Sequence, residues 1–303
     1  MPPARAWLID ASIYIFRAWF SLPDQWHTRD GWPVHAVYGY TRFLLDFIAA
    51  TDRASHCAAA FDESLGTCFR NDIYPAYKSS RDLPDAALAF QLQACREITE
   101  RLGIPCYGGE RYEADDYLAS LANLFQQRDI PVTVVTRDKD LGQIVQGPDD
   151  QWWDFAQNVT LDIAAFREKF GVAPRQFADY LALVGDPVDD IPGVPGVGAK
   201  TAARLLQAFD NLEALGDALD QVAGLSIRGA AGLQTRLQEH WPQVLLARQL
   251  TGLATAIPDV NRLPEFRLSA SAVEHVIEYL DELNIAGPLS RRCQALAGEL
   301  LPA

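Results

Sequence analysis

The chain has 303 residues, of which 49% are hydrophobic and 22% charged. That length and balance fit one large α/β unit with an appended piece, or two average domains, and exclude a disordered chain, a collagen-like repeat and a disulfide-dependent mini-scaffold. The net charge of −14, taken alone, argues against nucleic acid and membrane surfaces as partners.

Trp7-Leu8-Ile9 reads as a short buried strand ending at Asp10. A helix is expected from Val34 to about Thr51, with Val37, Phe43, Leu44, Phe47 and Ile48 as its apolar positions. Cys57 to Phe61 reads as a second strand, ending at Asp62. Residues 66–82 are aromatic, basic and polar with no steady period. Pro84 stands where a helix would start, and that helix is expected to run to Leu102. Ile104 to Tyr107 reads as a strand, Glu113 to Gln127 as a helix, and Val132 to Thr136 as a β-branched strand just before Asp138. Alternating strands and helices predict a mostly parallel sheet flanked by helices, an α/β fold. Beyond about residue 170 helices dominate, broken by Ile191-Pro192-Gly193-Val194-Pro195-Gly196-Val197-Gly198. No polar linker separates the halves, so the helical part is expected to pack directly on the sheet.

No run of 18 apolar residues marks a membrane helix. Met1 to Trp7 lacks the features of a signal peptide. The cysteines Cys57, Cys68, Cys95, Cys106 and Cys293 are odd in number and well separated, which indicates neither a disulfide framework nor a zinc site. A cytoplasmic setting is the expectation, with no membrane partner.

The position of the acids decides what the negative charge means. Asp10, Asp62 and Asp138 each follow an apolar strand at its carboxyl end, where open α/β sheets bind ligands. One such Asp is ordinarily a turn or helix cap; three after three strands suggest a common purpose. Glu113, Asp115 and Asp116 open a helix, Asp138 and Asp140 flank Lys139, and Asp186 and Asp189 precede the glycine-rich turn. The helix dipole accounts for one or two carboxylates at a helix start, but three together repel. Carboxylates this crowded raise one another's pKa or need cations between them. An all-oxygen set without His or Cys suits Mg²⁺ or Mn²⁺, and a pair of such ions commonly cleaves phosphodiesters. These nine acids account for more than half of the net charge, which removes most of the objection to a nucleic-acid partner.

Two segments could face phosphate. Gly193, Gly196 and Gly198 lead through Lys200 and Thr201 into a helix reaching Phe209, and glycines before a helix N-terminus let backbone N–H groups approach an anion. The spacing is not that of a nucleotide-binding P-loop, and glycine-rich turns are also common punctuation. Lys200 opposes the helix dipole, and a phosphate would explain it. Residues 66–81 carry Arg70, Lys78 and Arg81 with Phe69, Tyr74 and Tyr77 interleaved, a mixture that suits single-stranded nucleic acid or, equally, a solvated loop over buried aromatics.

Taken together, Leu8-Ile9-Asp10, Ala36-Val37-Tyr38-Gly39, Phe61-Asp62, Phe69-Arg70, Tyr77-Lys78-Ser79-Ser80-Arg81, Tyr112 to Asp116, Asp138-Lys139-Asp140-Leu141, Gly185-Asp186, Asp189 and Pro192 to Thr201 resemble the 5′ nucleases. These are the bacterial 5′→3′ exonucleases, the N-terminal nuclease domain of DNA polymerase I, phage 5′ nucleases and, more distantly, flap endonucleases. The segments span nearly the whole chain.

The resemblance implies a PIN-like nuclease core over 1–170 with a helical arch near 70–90. It also implies a helical DNA-binding part over 171–303, with a helix–three-turn–helix motif near 176–209. The implied activity is a metal-dependent 5′→3′ exonuclease or 5′-flap endonuclease working with two or more Mg²⁺ or Mn²⁺ ions in primer removal, replication or repair. By the same resemblance Asp10, Asp62, Glu113, Asp115, Asp116, Asp138, Asp140, Asp186 and Asp189 hold the ions. Lys78, Arg81, Asp116 and Asp138 belong to the reacting centre, and Tyr77 offers a surface on which a base stacks. Arg70, Tyr77, Lys78, Arg81, Gly193, Gly196, Gly198, Lys200 and Thr201 contact DNA, with K⁺ at the glycine turn. The expected partner is DNA with a 5′ flap or 5′ single-stranded end, and a DNA polymerase acting in trans, since the chain stops at 303. Small departures are Phe16 where Tyr is common, Asp190 for Asn, Ala11 for Gly, and Gly142 for a larger residue. Rival readings are a non-catalytic structure-specific DNA-binding protein, a PIN-type RNase and a phosphatase of small molecules.

Overall fold

The computed structural model describes residues 4–51, 56–64 and 66–300. The first three and last three residues of the chain, on which part of the reading of the termini rests, lie outside these. The central sheet is built from β1 (Ala6–Asp10), β2 (His56–Ala60), β3 (Cys106–Tyr107), β4 (Val132–Val135), β5 (Gln151–Asp154) and β6 (Val159–Leu161), in the order β3-β2-β1-β4-β5-β6. All neighbours pair in parallel except β5 with β6. The chain builds outward from β1 through β2 to β3, then crosses to the opposite side of β1 to lay down β4. The strand order therefore reverses between β1 and β4, the place where open α/β sheets leave a crevice at their carboxyl ends.

Both faces of the sheet are covered, which is why its inner strands are apolar without alternation. On one face Leu8, Ala58 and Val134 pack under α5 (Ala114–Gln126), together with α7 (Phe177–Val184), α8 (Ala199–Phe209), α9 (Leu212–Asp217) and α10 (Ala230–Thr251). On the other face Ile9, Cys57, Ala59 and Val135 pack against α1 (Ala11–Ser21), α2 (His35–Ala50), α4 (Ala86–Arg101), α11 (Ala270–Glu282) and α12 (Ala286–Leu300). A short α3 (Phe69–Ile73) and α6 (Ile163–Phe170) complete the helices. The helical C-terminal part is thus not one body. Val273, Val276, Leu280, Leu289 and Cys293 return to the sheet face beneath α2 and α4, while 177–251 covers the opposite face.

Several elements differ from the sequence reading. Helix α1 was not expected, yet Ala11, Tyr14, Ile15 and Ala18 are buried at helical spacing and the Asp10 side chain caps it, accepting from the Ile13 N–H. Helix α4 begins two residues after Pro84 because Asp85 is its cap and accepts from the Leu88 N–H. The segment near 70–90 is not a continuous helical arch. Between α3 and α4 it runs through turns, and it is fastened to the 189–190 loop by the Lys78 N–H on the Asp189 carbonyl and the Ser80 N–H on the Asp190 carboxylate. Gly142 has a steric reason: a β-carbon there would lie 2.0 Å from the Phe166 ring, which fills the space.

Candidate metal centre and nucleic-acid interface

The acids converge at the carboxyl ends of β2, β1 and β4, beside the crevice. Asp10 ends β1 and is buried, accepting from the Thr136 hydroxyl at 2.8 Å. The same hydroxyl oxygen accepts from the Asp138 N–H, and Asp138 in turn accepts from the Asp140 N–H. One threonine therefore sets the spacing of the β1 and β4 acids. Asp62 lies two residues past β2, its N–H on Ser12 Oγ and one oxygen receiving the Ser64 hydroxyl. Glu113 and Asp115 stand at the start of α5. Asp186 lies on a short β7 (Gly185–Asp186) that pairs with β8 (Ile191–Pro192), and Asp189 sits in the loop between them.

Burial and mutual repulsion act on these groups. Asp10 is pushed up to about 7, first by burial and then by Asp138 and Asp62. Asp140 is also pushed up to about 7, by burial and by Asp138. Burial with Asp138 and Asp10 holds Asp115 well above the carboxylate range. Asp62 and Asp189 are raised by burial as well. Glu113 is the exception: burial pushes it up, but the Lys78 and Arg70 charges outweigh that and hold it below its ordinary value.

Cations of the chain itself reach into the cluster. Lys78 pairs with Glu113 and lies 3.7 Å from Asp189, and Arg81 bonds Asp189 at 2.6 Å. Lys139 joins Asp140 at 2.9 Å to Asp186 at 3.0 Å. Among the described residues, no three carboxylates, histidines or cysteines close into a ready ligand cage. A cleft of about 250 Å³ opens here, lined by Asp62, Ser64, Tyr77, Lys78, Arg81 and Glu113 among others. Lys78 adopts φ +53°, a left-handed backbone that its N–H bond to Asp189 helps to hold.

Three expected roles are corrected. Arg70 is 1% exposed and faces no solvent from which DNA could reach it. Its guanidinium takes both oxygens of Asp116 at 2.6 and 2.7 Å, Glu113 at 2.9 Å, and the carbonyls of Leu250 and Gly252 at 2.8 Å each. Asp116, fully buried, also accepts from the N–H groups of Glu113 and Ala254, so it is a framework acid with no oxygen left to ligate an ion. Tyr77 is 3% exposed with its hydroxyl on Glu113 at 2.9 Å, and its ring is not available for a base to stack on. The residues missed were Lys139, Thr136, Ser12 and Ser64. Only Lys139, between two acids, carried a signal in the sequence.

The glycine turn lies between α7 and α8. Gly193 is there for packing: a β-carbon would fall 2.1 Å from the Val184 carbonyl oxygen. Gly196 has φ +75°, a conformation that disfavours any side chain. Gly198 is different. Its backbone is extended, at φ −101°, and a β-carbon there would meet nothing within 4 Å. It caps α8 with no side-chain hydrogen bond, and Lys200 is exposed in the first turn.

Comparison with known proteins agrees with this geometry. A family profile described as "5'-3' exonuclease, N-terminal resolvase-like domain" matches residues 5–171, and one described as "5'-3' exonuclease, C-terminal SAM fold" matches residues 172–274. DNA polymerase I of Pseudomonas aeruginosa is 38% identical over 261 residues, covering 85% of this chain and 28% of that protein. The corresponding figures for DNA polymerase I of Mycobacterium tuberculosis are 34% over 282 residues, 91% and 30%. The chain thus spans under a third of the polymerases it matches. The 5'-3' exonuclease of Buchnera aphidicola is 30% identical over 251 residues, covering 83% of this chain and 86% of that one. Among solved structures, T5 5'-exonuclease with bound divalent metal ions (zinc) superposes with a TM-score of 0.68 at 17% identity, covering 97% of this chain and 99% of that chain. The catalytic core of Rad2 in complex with DNA substrate gives 0.63 at 16% identity, covering 98% and 92%. Both of these likenesses are of fold. No helix among the described residues is long and apolar enough to cross a membrane. On these matches the chain belongs to the 5′–3′ exonuclease family.

Proposed function

We propose that this chain hydrolyses phosphodiester bonds of DNA at a 5′ single-stranded end or 5′ flap, in primer removal, replication or repair. The observation that carries this reading is the convergence of carboxylates, Asp10 buried and Asp62 and Asp138 half-buried, at the carboxyl ends of three adjacent strands, beside the β1–β4 crevice. The donor set fits hard divalent cations. It is all oxygen, and burial with mutual repulsion has raised Asp10, Asp115 and Asp140 toward protonation, a cost that positive charge would relieve. Asp10, Asp62, Glu113, Asp115, Asp138, Asp140, Asp186 and Asp189 are the residues that would hold two or more Mg²⁺ or Mn²⁺ ions. When bound, such ions supply a water that is nucleophilic near neutral pH and stabilise charge on the leaving oxygen.

The chain's own groups do the rest. Lys78 and Arg81, on the segment that lies over the cluster, would turn from Glu113 and Asp189 to the scissile phosphate and stabilise its developing charge. Thr136 keeps Asp10 and Asp138 at a fixed separation. Gly196, Gly198, Lys200 and Thr201 would hold the duplex backbone at the α8 N-terminus without reading sequence. A K⁺ ion at this turn belongs to the proposal through the resemblance to 5′ nucleases. In this division of labour roughly residues 171–260 grip the duplex, while 1–170 and the last two helices form the nuclease core.

The test is cleavage of a 5′-flap duplex in Mg²⁺, in excess EDTA, and by Asp138→Asn. Both perturbations are expected to lower the single-turnover rate by roughly 10²-fold or more, on the scale of losing one electrostatic element of an active site, while Asp138→Asn keeps its duplex affinity. Turnover that persists in EDTA, or in Asp138→Asn, defeats the metal-dependent reading.

A further inference from the structure

The chain's own cations are unevenly spread over the acids at the strand ends. Among the described residues Asp10, Asp115 and Asp138 enter no ion pair, whereas Lys78 and Arg81 take Glu113 and Asp189, and Lys139 takes Asp140 and Asp186. Lys139 is flanked in sequence by Asp138 and Asp140, yet it also serves an acid from another part of the chain. Its Nζ donates to Oδ1 of Asp140 at 2.9 Å and to Oδ2 of Asp186 at 3.0 Å. Asp140 comes just after β4 and Asp186 lies on β7, so one ammonium joins carboxylates from two separate elements, as a shared metal ion would.

Depth makes this position different from an ordinary surface pair. The side chains of Asp186 and Asp140 are 7% and 19% exposed, while that of Lys139 is 45% exposed. The other oxygen of Asp186 already accepts from the Val188 N–H at 3.0 Å, which leaves Oδ2 as its free corner. A hard divalent ion binds carboxylate oxygens at about 2.0–2.6 Å. Placed on the oxygens that hold Lys139, it would face the ammonium within a few ångströms, where little water screens the repulsion of like charges. The backbone of Lys139 is ordinary helical, at φ −64° and ψ −28°, so the ammonium can leave by rotation of its stem alone.

We propose that Lys139 is a built-in competitor for the divalent ion shared by Asp140 and Asp186. Its ammonium holds the two acids together while the ion is absent and has to leave for the ion to bind, so it sets the ion concentration that fills this position. This rests on the reading of the cluster as a metal centre. It adds an asymmetry: an ion between Asp140 and Asp186 displaces a fixed cation, and an ion on Asp10, Asp115 and Asp138 displaces none. A lysine that merely pinned β7 to the end of β4 would act with the opposite sign, because freeing the two acids would then weaken their hold on the ion.

The experiment measures Mn²⁺ uptake without DNA at low salt, by loss of the free-ion EPR signal, for wild type, Lys139→Met and Lys139→Arg. Thermal unfolding of each is followed in EDTA and in Mn²⁺. Lys139→Met keeps the stem and removes the charge. It is expected to bind its weaker ion roughly tenfold more tightly than wild type, the scale of removing one half-exposed repelling charge, and to gain more in Tm from Mn²⁺. Lys139→Arg keeps the charge and should stay near wild type. Unchanged or weaker uptake by Lys139→Met overturns the proposal, and so does uptake by Lys139→Arg as tight as that of Lys139→Met. If Lys139→Met does not fold, wild type decides alone. Acetylation by N-hydroxysuccinimide acetate, read by peptide mass spectrometry, should then be several-fold faster at Lys139 in Mn²⁺ than in EDTA, with the exposed Lys169 and Lys200 unchanged. A Lys139 rate that does not rise overturns the proposal. Failure of the metal-centre reading looks different, because wild type itself would then take up no Mn²⁺.

Discussion

Replacing Arg70 by Gln separates a framework role from a DNA contact. The side chain is 1% exposed and satisfies Asp116, Glu113 and the carbonyls of Leu250 and Gly252 at once, tying the start of α5 to the end of α10. Gln cannot span those acceptors and carries no charge, so Asp116 and Glu113 would be left as buried acids short of a cation. Removing one partner of a buried ion pair costs about 3–5 kcal/mol. For a domain of this size each kcal/mol shifts Tm by roughly 2–4 °C, so a fall on the order of 10 °C is expected in EDTA. Adding Asp116→Asn to Arg70→Gln removes one uncompensated charge and should recover part of the loss. The assay is thermal unfolding of wild type, the single variants and the double variant, beside duplex binding in Ca²⁺ over a range of salt. Binding slopes should stay parallel to wild type, because a buried guanidinium releases no counterion from DNA. A small Tm change together with a slope lower by about 0.9 would refute the framework assignment and restore Arg70 as a phosphate contact.

Lys78→Ala should lower the single-turnover rate by roughly 10²-fold with less effect on affinity, since its charge is aimed at the transition state; an unchanged rate in rapid-quench measurements would make it only a counter-ion of Glu113. Without divalent ions, thermal stability should fall as pH rises toward and past 7. Asp10 and Asp140 titrate near 7 when folded and in the ordinary carboxylate range when unfolded, so the folded state binds extra protons across that window and loses this advantage as pH passes about 7. Mg²⁺ should therefore stabilise more at pH 8 than at pH 5, and a shift independent of pH would contradict it. Gly198→Val should leave Tm within a few degrees, because φ −101° suits valine and the β-carbon meets open space. It should nevertheless weaken duplex binding roughly tenfold, about the loss of one charge-assisted hydrogen bond; wild-type affinity in a titration would mean that nothing approaches the turn there.

The sheet was legible because its signal is local. Trp7-Leu8-Ile9, Cys57 to Phe61 and Val132 to Thr136 are apolar on both faces and each is followed by an acid, which is what strands covered on two sides and facing a ligand at one end require. The β5–β6 ribbon was not legible: Gln151-Trp-Trp-Asp and Val159-Thr-Leu are short, and their strand character comes from pairing with β4 and with each other. The acids were found, but the roles of Arg70, Asp116 and Tyr77 were not, because composition separates basic from apolar and says nothing of burial. Arg70 looks the same in sequence whether it meets a phosphate or the carbonyls of Leu250 and Gly252, which lie some 180 residues away. Likewise the return of α11 and α12 to the face under α2 is a tertiary choice that no boundary in composition announces.

The burial of Arg70 also bears on how the start of α5 is held beside so many acids. A site that takes up cations, as proposed above, cannot be neutralised by fixed ones, yet crowded carboxylates destabilise the fold that carries them. The chain divides the task by exposure. Arg70, wholly buried, compensates Asp116 and one side of Glu113 permanently, so α5 keeps its position whatever the cleft contains. Lys78 takes the other side of Glu113, Arg81 holds Asp189, and Lys139 joins Asp140 to Asp186, from side chains that are 19%, 45% and 45% exposed, and the half-exposed Arg81 and Lys139 can swing away at little cost. Of these, Arg81 lines the cleft and is the one placed to meet a phosphate there under the proposed function. Permanence and release are therefore assigned to different residues by depth, and the same acids serve the fold through one set and the cleft through the other.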